Sequence, residues 1–369
     1  MLFYVYAGYP ILVFLLATLR KRKVKKGSYE PKITVLIPAF NEAENIEETL
    51  RNKINLVYPK EKLEIIVISD GSTDDTDKIV GKYEKSGVKL IRQDPRSGKT
   101  VALNMAVPQA SGEILVFSDA NSIYEADALQ RLAENFNDPE VGYVTGKMIY
   151  TMPNGNVIGD GCSVYMRYEN VLRKLETNIG SIIGVDGGID AVRKELYQPM
   201  NPDQLPDFVL PLRVLEQGYR VVYEPDAILY EPSLEASDDE YKMRVRVSLR
   251  SLWALKDMRR LLSLSKFRMI AWQVWSHKVL RYFCFVFLIG TYLANAGLWS
   301  VSVSYKLLFI LQNLGYAVAI LFPILHRMWR PLKILYPLNY FTLLNLAATH
   351  AFLKFLMGQK QVIWTPRRG

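Results

Sequence analysis

Acidic side chains follow two of the apolar runs in this sequence, and their types suit nucleotide and metal chemistry. Asp70 ends the run LEIIVISD at 63–70 and is followed by Gly71 and Ser72. A carboxylate at this point can accept hydrogen bonds from a base or ribose, and the glycine allows close backbone approach. The alternative is a structural turn and helix cap, since Asp, Gly and Ser are common there.

Asp119 ends a second apolar run, EILVFSDA at 113–120, and Asn121 lies two residues further on. Residues i and i+2 of an extended segment point to the same side, so both side chains are expected to approach one cation, with Asp119 as its direct ligand. Oxygen donors of this kind favour Mg²⁺ or Mn²⁺. A lone Asp at a strand end is often structural, but two of them on one sheet edge favour a ligand site.

The region from Pro31 to about Glu231 alternates short β-branched runs with amphipathic stretches, which is typical of parallel strands joined by helices. The predicted strands are 33–40, 63–70, 88–93 and 113–120. This alternation predicts an α/β fold with a doubly wound, mostly parallel, Rossmann-like sheet. Ligands of such sheets bind beyond the carboxyl ends of strands, where Asp70 and Asp119 both lie.

Residues 1–19 form a nearly charge-free apolar run, and a helix of this length crosses a hydrocarbon core of roughly 30 Å. The basic cluster KRKVKK at 21–26 follows this run, whereas a signal peptide carries its charge before the apolar run. We therefore expect residues 1–20 to be a retained transmembrane anchor with its N-terminus outside. The polar domain at 31–236 is then expected to lie in the cytoplasm, held at the plasma or inner membrane.

Residues 237–283 are predicted to form amphipathic helices in the membrane interface, because arginines and aromatic residues accompany an apolar face. Three further membrane helices are predicted within 284–358, before a basic tail at 359–369. The anchor plus three crossings would place this tail outside, whereas its arginines argue for inside. The last apolar segment carries His350 and two asparagines, so a shallow, re-entrant or protein-buried helix stays open.

Charge and cysteine content exclude several classes of function. The formal net charge is +9, but much of the Lys and Arg flanks apolar segments, where membrane lipid is the expected partner and nucleic acid is not. Two cysteines, Cys162 and Cys284, and three histidines build neither a disulfide framework nor a Cys- or His-based metal site. A dehydrogenase is disfavoured, because no G-x-G-x-x-G turn follows the first predicted strand.

Several segments carry a joint pattern that is stronger than any one of them. They are TVLIPAFNEAENI at 34–46, ISDGSTDDT at 68–76, RSGKTVALNMA at 96–106, FSDAN at 117–121, GVDGGIDAVRKEL at 184–196, the segment 205–227 and the arginine-rich stretch near 244–250. Together they resemble glycosyltransferase family 2, the inverting enzymes of GT-A fold that include cellulose, chitin and hyaluronan synthases. The resemblance covers roughly residues 31–260, and the membrane layout resembles the synthase branch.

The resemblance implies a donor site for a nucleotide sugar. In this site Pro38, Asn41, Glu42 and Asp70 would surround the uridine, and Lys99 would help to hold the donor. A lysine offers a mobile point charge that suits a phosphate.

The resemblance also implies roles on the metal and acceptor sides. Asp119 would hold the metal that neutralises the departing nucleoside diphosphate. Gly187 and Gly188 would leave space for the acceptor sugar, with an ordinary turn as the alternative. Asp207 takes the place of the last residue of the family's Thr-Glu-Asp motif, as the base for the attacking hydroxyl, and inversion needs this one base only. The alternative for Asp207 is a helix cap after Pro206.

Two departures from the family pattern affect these roles. Pro206 stands where the family has an acidic residue before the base, and proline fixes the backbone there. The Gln-x-x-Arg-Trp motif is absent, and the segment 244–253 offers Arg246 and Arg250 in its place. These arginines share one helical face and suit bidentate diphosphate binding, with lipid-facing charges as the alternative. Trp253 is adjacent to neither, so a tryptophan platform for the acceptor sugar is not expected.

These observations predict an inverting membrane glycosyltransferase that transfers a sugar from a nucleoside diphosphate, expected to be UDP, to a growing polysaccharide. Its membrane segments would form a path for the chain, or part of one that export partner subunits complete. Transfer of a single sugar to a lipid carrier needs the same site and is the close alternative. An inactive nucleotide-binding module that regulates a membrane assembly is disfavoured, because it needs no base at Asp207.

Overall fold

The computed structural model describes residues 1–151, 157–232, 237–329 and 335–363 of the chain. The end of the predicted basic tail, from residue 364 onward, lies outside the described residues.

Eight strands form one mixed sheet. They are β1 Ile33–Ala39, β2 Leu63–Asp70, β3 Val88–Gln93, β4 Ile114–Ser118, β5 Ile123–Tyr124, β6 Val141–Thr151, β7 Ile189–Arg193 and β8 Arg220–Pro232. Their order across the sheet is β3-β2-β1-β4-β7-β6-β8-β5. The pairs β2–β3, β1–β2 and β1–β4 are parallel, whereas β7 runs antiparallel between β4 and β6.

The parallel half of the sheet is the part that the sequence predicts. β2 and β3 have the predicted bounds, and β1 and β4 lie within theirs. Every residue of β1 and β4 is buried, because helices cover both faces of the sheet, and such strands read as continuous apolar runs. The α/β fold with a doubly wound sheet is confirmed, and the antiparallel β7 makes the sheet mixed.

Thirteen α-helices are assigned within the described ranges, including one of three residues. They are α1 Tyr9–Leu19, α2 Ile46–Ile54, α3 Thr76–Gly81, α4 Lys99–Ala106, α5 Ala128–Asn135, α6 Val157–Ile179, α7 Pro206–Glu216, α8 Ser237–Asp257, α9 Leu264–Gln273, α10 Leu280–Tyr282, α11 Cys284–Gly297, α12 Val303–Trp329 and α13 Tyr336–Leu356. A π-helical turn at Tyr4–Gly8 leads into α1, and another at Val274–Val279 joins α9 to α10.

Alternate residues of the central strands point into two separate hydrophobic cores. Leu36 and Ile66 belong to a core that includes residues of α4 and α7. Val35 and Val67 belong to a second core, which includes residues of α2 and α5. Successive side chains of a strand point to opposite faces of the sheet, so each strand contributes to both cores. The sheet therefore packs between two layers of helices.

The terminal apolar helices α1 and α13 pack on the long helices α6 and α8. Tyr9 of α1 clusters with Leu172 of α6, and both are buried. Ala347 and Ala351 of α13 are fully buried and cluster with Leu249 of α8. The last apolar segment is therefore partly covered by protein, as one of the open alternatives requires.

One described helical segment, Val303–Phe322, is long and apolar enough to cross a membrane. Leu264–Tyr282 and Cys284–Gly297 meet the same criterion when taken together, but they are bent by 61° at their junction. Tyr4–Leu19 is apolar and shorter. The transmembrane anchor at residues 1–20 and the membrane helices within 284–358 stay predictions.

The basic cluster after α1 contacts residues in and beside the strands β6 and β8. Arg22 forms an ion pair with Glu140 at 2.8 Å, and Lys26 forms one with the buried Glu224. Arg22 and Lys26, whose charges the sequence predicts to contact lipid, thus form ion pairs within the protein.

Candidate active site

A cavity of about 170 Å³ lies beyond the carboxyl ends of β1 and β4, beside the start of α7 and one face of α8. It brings together most of the residues that the sequence predicts: Pro38, Glu42, Lys99, Asp119, Asn121, Gly187, Asp207, Arg246 and Arg250. Asn41, Asp70 and Gly188 are not among its lining residues. The position is the one at which open α/β sheets bind ligands.

Asp207 lies in the first turn of α7, after Pro206, which occupies a position where proline is well tolerated. Leu205 precedes the helix and no side chain caps it, so the helix-cap alternative does not describe Asp207. The Asp207 Oδ1 atom is buried and has no hydrogen-bond partner among the described residues. Burial raises the pKa of Asp207, against the opposing charge of Lys99 and with a contribution from Asp119. A desolvated carboxylate of this kind suits proton acceptance.

Gly187 holds a backbone conformation that brings the loop before β7 against this carboxylate. Its φ is +91°, and a Cβ placed there would lie 2.5 Å from Asp207 Oδ2. The neighbouring Asp186 forms a buried ion pair with Arg173 of α6, which fixes the loop from the other side. Gly188 is buried outside the cavity, where an added Cβ would lie 2.5 Å from the Leu229 side chain.

We expect Gly187→Ala to lower kcat by about a hundred-fold if Asp207 is the base that the sequence predicts, because the new methyl group displaces Asp207 and a small misplacement of a reacting group has that effect. The measurement is kcat together with donor affinity, which should change little. Gly218→Ala is the matched control, since Gly218 has a similar φ of +88° but its added Cβ meets nothing within 4 Å. Equal losses in both variants would assign the effect to backbone strain alone.

Lys99 and Asp119, which both line the cavity, form an ion pair. Lys99 is the first residue of α4, and Asp119 follows the last residue of β4. Burial alone would lower the pKa of Lys99, but the carboxylates of Asp119 and Asp207 outweigh it and raise that pKa. The lysine therefore carries its positive charge at neutral pH, as a phosphate ligand requires.

The oxygen ligands offered by Asp119 and Asn121 suit a cation that enters the site already bound to a diphosphate. No group of three His, Cys, Asp or Glu side chains arranged to hold a metal occurs among the described residues. Asp119 and Asn121 both line the cavity, and the Asp119 side chain is 32% exposed. Mg²⁺ keeps several waters and takes one or two carboxylates together with substrate phosphates. The oxygens of Asp119 and Asn121 fit such a diphosphate-bound cation better than a resident metal.

Asp70 and Asn41 support the loops at the edge of the cavity. Asp70 is fully buried and accepts hydrogen bonds from the backbone N–H groups of Ser97 at 2.8 Å and Gly98 at 3.0 Å. Asn41 donates its backbone N–H to Ser72 Oγ at 3.1 Å. Both residues thus order the turns that precede the helices around the site. Their predicted contacts with uridine stay predictions.

Arg246 and Arg250 both face the cavity from α8, which does not fit the alternative of lipid-facing charges. Arg250 is only 5% exposed and donates to the Asp203 carbonyl oxygen at 3.1 Å and to Thr100 Oγ1 at 3.2 Å. Burial lowers the pKa of Arg250 to about 10, against the charge of Asp207. Arg250 therefore also holds the segment before α7 in place.

Sequence reasoning missed the residues that hold the loop after Asp119. Lys53 of α2 is fully buried and donates to the Ser122 carbonyl oxygen at 2.6 Å. Thr49 donates to the Ala120 carbonyl oxygen at 2.7 Å. These two hydrogen bonds hold the loop at residues 120–122 against α2. In the sequence, Lys53 and Thr49 share a helix face with Ile46 and Leu50, and a lysine usually indicates a solvated position.

Asp190 of β7 is buried and interacts electrostatically with Asp207, and burial raises the pKa of Asp190 to about 7. Between pH 3.8 and about pH 7, Asp190 therefore keeps its proton in the folded protein but has released it in the unfolded chain. Stability should accordingly fall as pH rises from 4 towards 7. We expect the Tm of Asp190→Asn to fall less than that of the unchanged protein between pH 5 and pH 8. Parallel Tm profiles would show that Asp190 is ionised in the fold.

Comparison with known proteins gives the family and the fold to which this chain is similar. The family described as "Glycosyl transferase family 2" matches residues 34–195. A poly-beta-1,6-N-acetyl-D-glucosamine synthase of Staphylococcus aureus is 30% identical over 265 residues, which are 68% of this chain and 64% of the relative. The corresponding synthase of Staphylococcus epidermidis is 27% identical over 69% of this chain and 65% of its own length. The chain thus spans just under two thirds of these relatives.

A solved structure shares the arrangement of nearly the whole chain. It is a mannosyltransferase from Pyrobaculum calidifontis in complex with GDP-Man and Mn²⁺, with a TM-score of 0.70 and 23% identity. The alignment covers 97% of each chain, so the likeness in fold extends beyond the catalytic region to the terminal helices. With the match over residues 34–195, these findings show that the chain belongs to glycosyl transferase family 2 and has a GT-A fold.

Proposed function

We propose that this protein is an inverting membrane glycosyltransferase that transfers a sugar from a nucleoside-diphosphate sugar to a growing polysaccharide. The observation that carries this proposal is the buried Asp207 carboxylate, which shares one cavity with the Lys99–Asp119 ion pair and two arginines of α8. Proton acceptor and phosphate-binding groups thus face one small space. The family and the names of the synthase relatives support the same reaction class.

The transfer uses Asp207 as its single base. An acceptor hydroxyl gives its proton to Asp207 while its oxygen forms the new bond to the anomeric carbon. The bond between that carbon and the diphosphate oxygen breaks on the opposite side, which inverts the configuration. Lys99, Arg246 and Arg250 lie where they can hold the diphosphate as its negative charge grows.

Asp119 and Asn121 are the residues that would hold Mg²⁺ or Mn²⁺ on the diphosphate. When bound, this cation would supply charge neutralisation to the leaving group. Lys99 forms an ion pair with Asp119, and both residues line the cavity. On arrival of the donor, Lys99 would be available for a phosphate oxygen.

UDP is the proposed nucleoside diphosphate, with Pro38, Asn41, Glu42 and Asp70 at the base and ribose. An N-acetylhexosamine is the first donor sugar to test, because the relatives are named for an N-acetylglucosamine polymer. Gly187 and Gly188 are proposed to border the acceptor, of which Gly187 lines the cavity.

The proposed location is the plasma or inner membrane, with the catalytic domain at 31–236 in the cytoplasm. Residues 1–20 would anchor the chain, 237–283 would lie in the interface, and 284–358 would contain the C-terminal membrane helices. The apolar segment Val303–Phe322 supports this location. Export of the product, alone or with partner subunits, belongs to the same proposal.

The deciding experiment is turnover of the purified, detergent-solubilised protein against a panel of UDP- and GDP-sugars with Mg²⁺ or Mn²⁺. Both nucleotide release and product size are measured, with oligosaccharide and lipid acceptors supplied. We expect a high-molecular-weight polymer from one donor. A short lipid-linked product would instead identify a single-addition enzyme. Nucleotide binding without transfer from any donor would leave the regulatory module as the better description.

A further inference from the structure

Two side chains of α2 reach the loop that carries the proposed cation ligands. Thr49 Oγ1 donates to the Ala120 carbonyl oxygen at 2.7 Å, and Lys53 Nζ donates to the Ser122 carbonyl oxygen at 2.6 Å. Both side chains are fully buried, and their spacing of four residues places them on one face of the helix. Residues of α2 belong to the second core, so the helix gives the loop a fixed support.

The loop at residues 119–122 divides its polar groups between this helix and the cavity. The carbonyl oxygens of residues 120 and 122 accept the two hydrogen bonds from α2, whereas Asp119 and Asn121 line the cavity. Each contact with α2 is therefore adjacent in the chain to a proposed cation ligand. Two oxygens that share one Mg²⁺ have to keep a fixed separation, because this ion requires near-ideal octahedral geometry. The hydrogen bonds from α2 restrain that separation.

Lys53 supports the loop as a hydrogen-bond donor, and its charge is not needed for this. Burial lowers the pKa of Lys53 well below its ordinary value of 10.5. A neutral amine keeps two N–H donors, and two oxygens accept from this one, the Ser122 carbonyl oxygen at 2.6 Å and Asn52 Oδ1 at 3.0 Å. A methionine would avoid the cost of burying the amine but would remove the donor from the Ser122 carbonyl oxygen.

Tyr124 of β5 extends this support to the loop that faces the proposed base. The Lys53 nitrogen lies 3.6 Å from the centre of the Tyr124 ring. The Tyr124 hydroxyl lies 2.8 Å from the Gly188 carbonyl oxygen and 3.0 Å from the Phe117 carbonyl oxygen, and it can donate to either. Gly188 belongs to the loop that lies against Asp207. One buried group of side chains thus contacts both the cation side and the base side of the site.

We propose that Lys53, Thr49 and Tyr124 are positioning residues of the transfer reaction, which set the affinity of the cation site and hold it at a fixed distance from the base. The inference rests on the proposed transferase function and adds three residues to it, none of which lines the cavity. Loss of a group that orients metal ligands from behind commonly weakens metal binding by about ten- to a hundred-fold. A purely structural role would instead lower stability and leave cation binding unchanged.

The test measures Mn²⁺ binding to the full-length protein in detergent with UDP present and, in a parallel series, with GDP. The electron paramagnetic resonance signal of free Mn²⁺ reports the bound fraction. We expect Thr49→Val, which keeps the shape and removes the hydroxyl, to weaken Mn²⁺ binding about ten-fold, and Thr49→Ser to restore it. Lys53→Met should weaken Mn²⁺ binding by at least about the same factor. Nucleotide binding without a divalent cation should stay unchanged.

Turnover separates the cation side from the base side. In Thr49→Val and Lys53→Met, the Mn²⁺ concentration for half-maximal rate should rise by the factor by which binding weakens, and kcat at saturating Mn²⁺ should be largely kept. Tyr124→Phe removes only the hydroxyl, and with it the contact with the Gly188 carbonyl oxygen. We expect this change to lower kcat at saturating Mn²⁺ by about ten-fold, because the base is then held less accurately.

Thr34→Val is the matched control for stability. Thr34 is a fully buried threonine of β1, whose hydroxyl donates to Glu64 at 2.6 Å and accepts from the Gly112 N–H at 2.9 Å. It is the second residue of the strand, whereas the cavity lies beyond the carboxyl end. This variant should lower the Tm and leave Mn²⁺ affinity unchanged, so it separates loss of stability from loss of position.

Two results would overturn the inference. If Thr49→Val and Lys53→Met lowered the Tm as Thr34→Val does but kept full Mn²⁺ affinity, the contacts of α2 would be structural only. If Lys53→Met does not fold, the Thr49 pair decides alone. Absence of Mn²⁺ binding by the unchanged protein with either nucleotide would remove the site to be positioned. If Mn²⁺ and nucleotide bind but no sugar is transferred, the transferase function fails, and the Mn²⁺ affinities of the variants still decide the positioning role.

Discussion

Replacing Asp207 by asparagine is expected to lower kcat by about a thousand-fold, which lies within the usual range for loss of a general base. The amide has nearly the same shape and cannot accept a proton from the acceptor hydroxyl. Donor binding should stay within a few-fold, because Lys99, Arg246 and Arg250 are unchanged. The measurement is kcat from nucleotide release, with donor affinity determined separately by binding.

Asp226→Asn is the control for this change. Asp226 is an exposed aspartate of β8, outside the cavity, and its variant should keep full activity. If Asp207→Asn kept more than a tenth of the turnover, Asp207 would not be the base. A loss of donor binding equal to the loss of kcat would instead make Asp207 part of the donor site.

The same assignment fixes the direction of the pH dependence. Only the ionised Asp207 accepts a proton, and burial raises its pKa above the ordinary value of 3.8. Turnover should therefore fall as pH drops through the raised pKa, with an acid limb at higher pH than an exposed aspartate would give. This limb should vanish from the residual activity of Asp207→Asn.

The parallel half of the fold follows from the sequence because local and tertiary preferences agree there. β2 and β3 are β-branched runs bounded by turn residues, and both lie where the sequence predicts them. Asp119 was predictable for the same reason, since the end of a parallel strand is a place where ligands bind. Asp207 was different, because only the family resemblance pointed to it. An aspartate after Pro206 at a helix start otherwise indicates a cap.

The supporting residues were not predictable, because their roles depend on contacts between distant segments. The buried Lys53 donates a hydrogen bond to the Ser122 carbonyl oxygen, 69 residues away in the chain. The apolar sequence of α13 predicts a membrane segment. In the structure, Ala347 and Ala351, which are spaced four residues apart, pack against α8. Small residues at that spacing allow close helix packing, which hydrophobicity alone does not indicate.

Replacing Asp119 by alanine is expected to lower metal-dependent turnover by about a hundred-fold or more, since a bound cation contributes several kcal/mol of charge stabilisation at a leaving group. The change removes the one carboxylate of the proposed metal pair and leaves Asn121. It also releases Lys99 from its ion pair. That lysine can then pair with the diphosphate, so nucleotide binding in the absence of a divalent cation should be kept or strengthened.

The readout for Asp119→Ala is Mn²⁺ binding in the presence of nucleoside diphosphate, followed by electron paramagnetic resonance, together with turnover across a Mn²⁺ titration. Asp127→Ala is the control, because Asp127 forms a surface ion pair with Arg131 at 2.9 Å and lies outside the cavity. A protein that lost turnover in Asp119→Ala with Mn²⁺ binding intact would use Asp119 to position Lys99. Unchanged turnover and Mn²⁺ dependence would remove Asp119 from the site, and charge neutralisation would then fall to Lys99 and the arginines of α8.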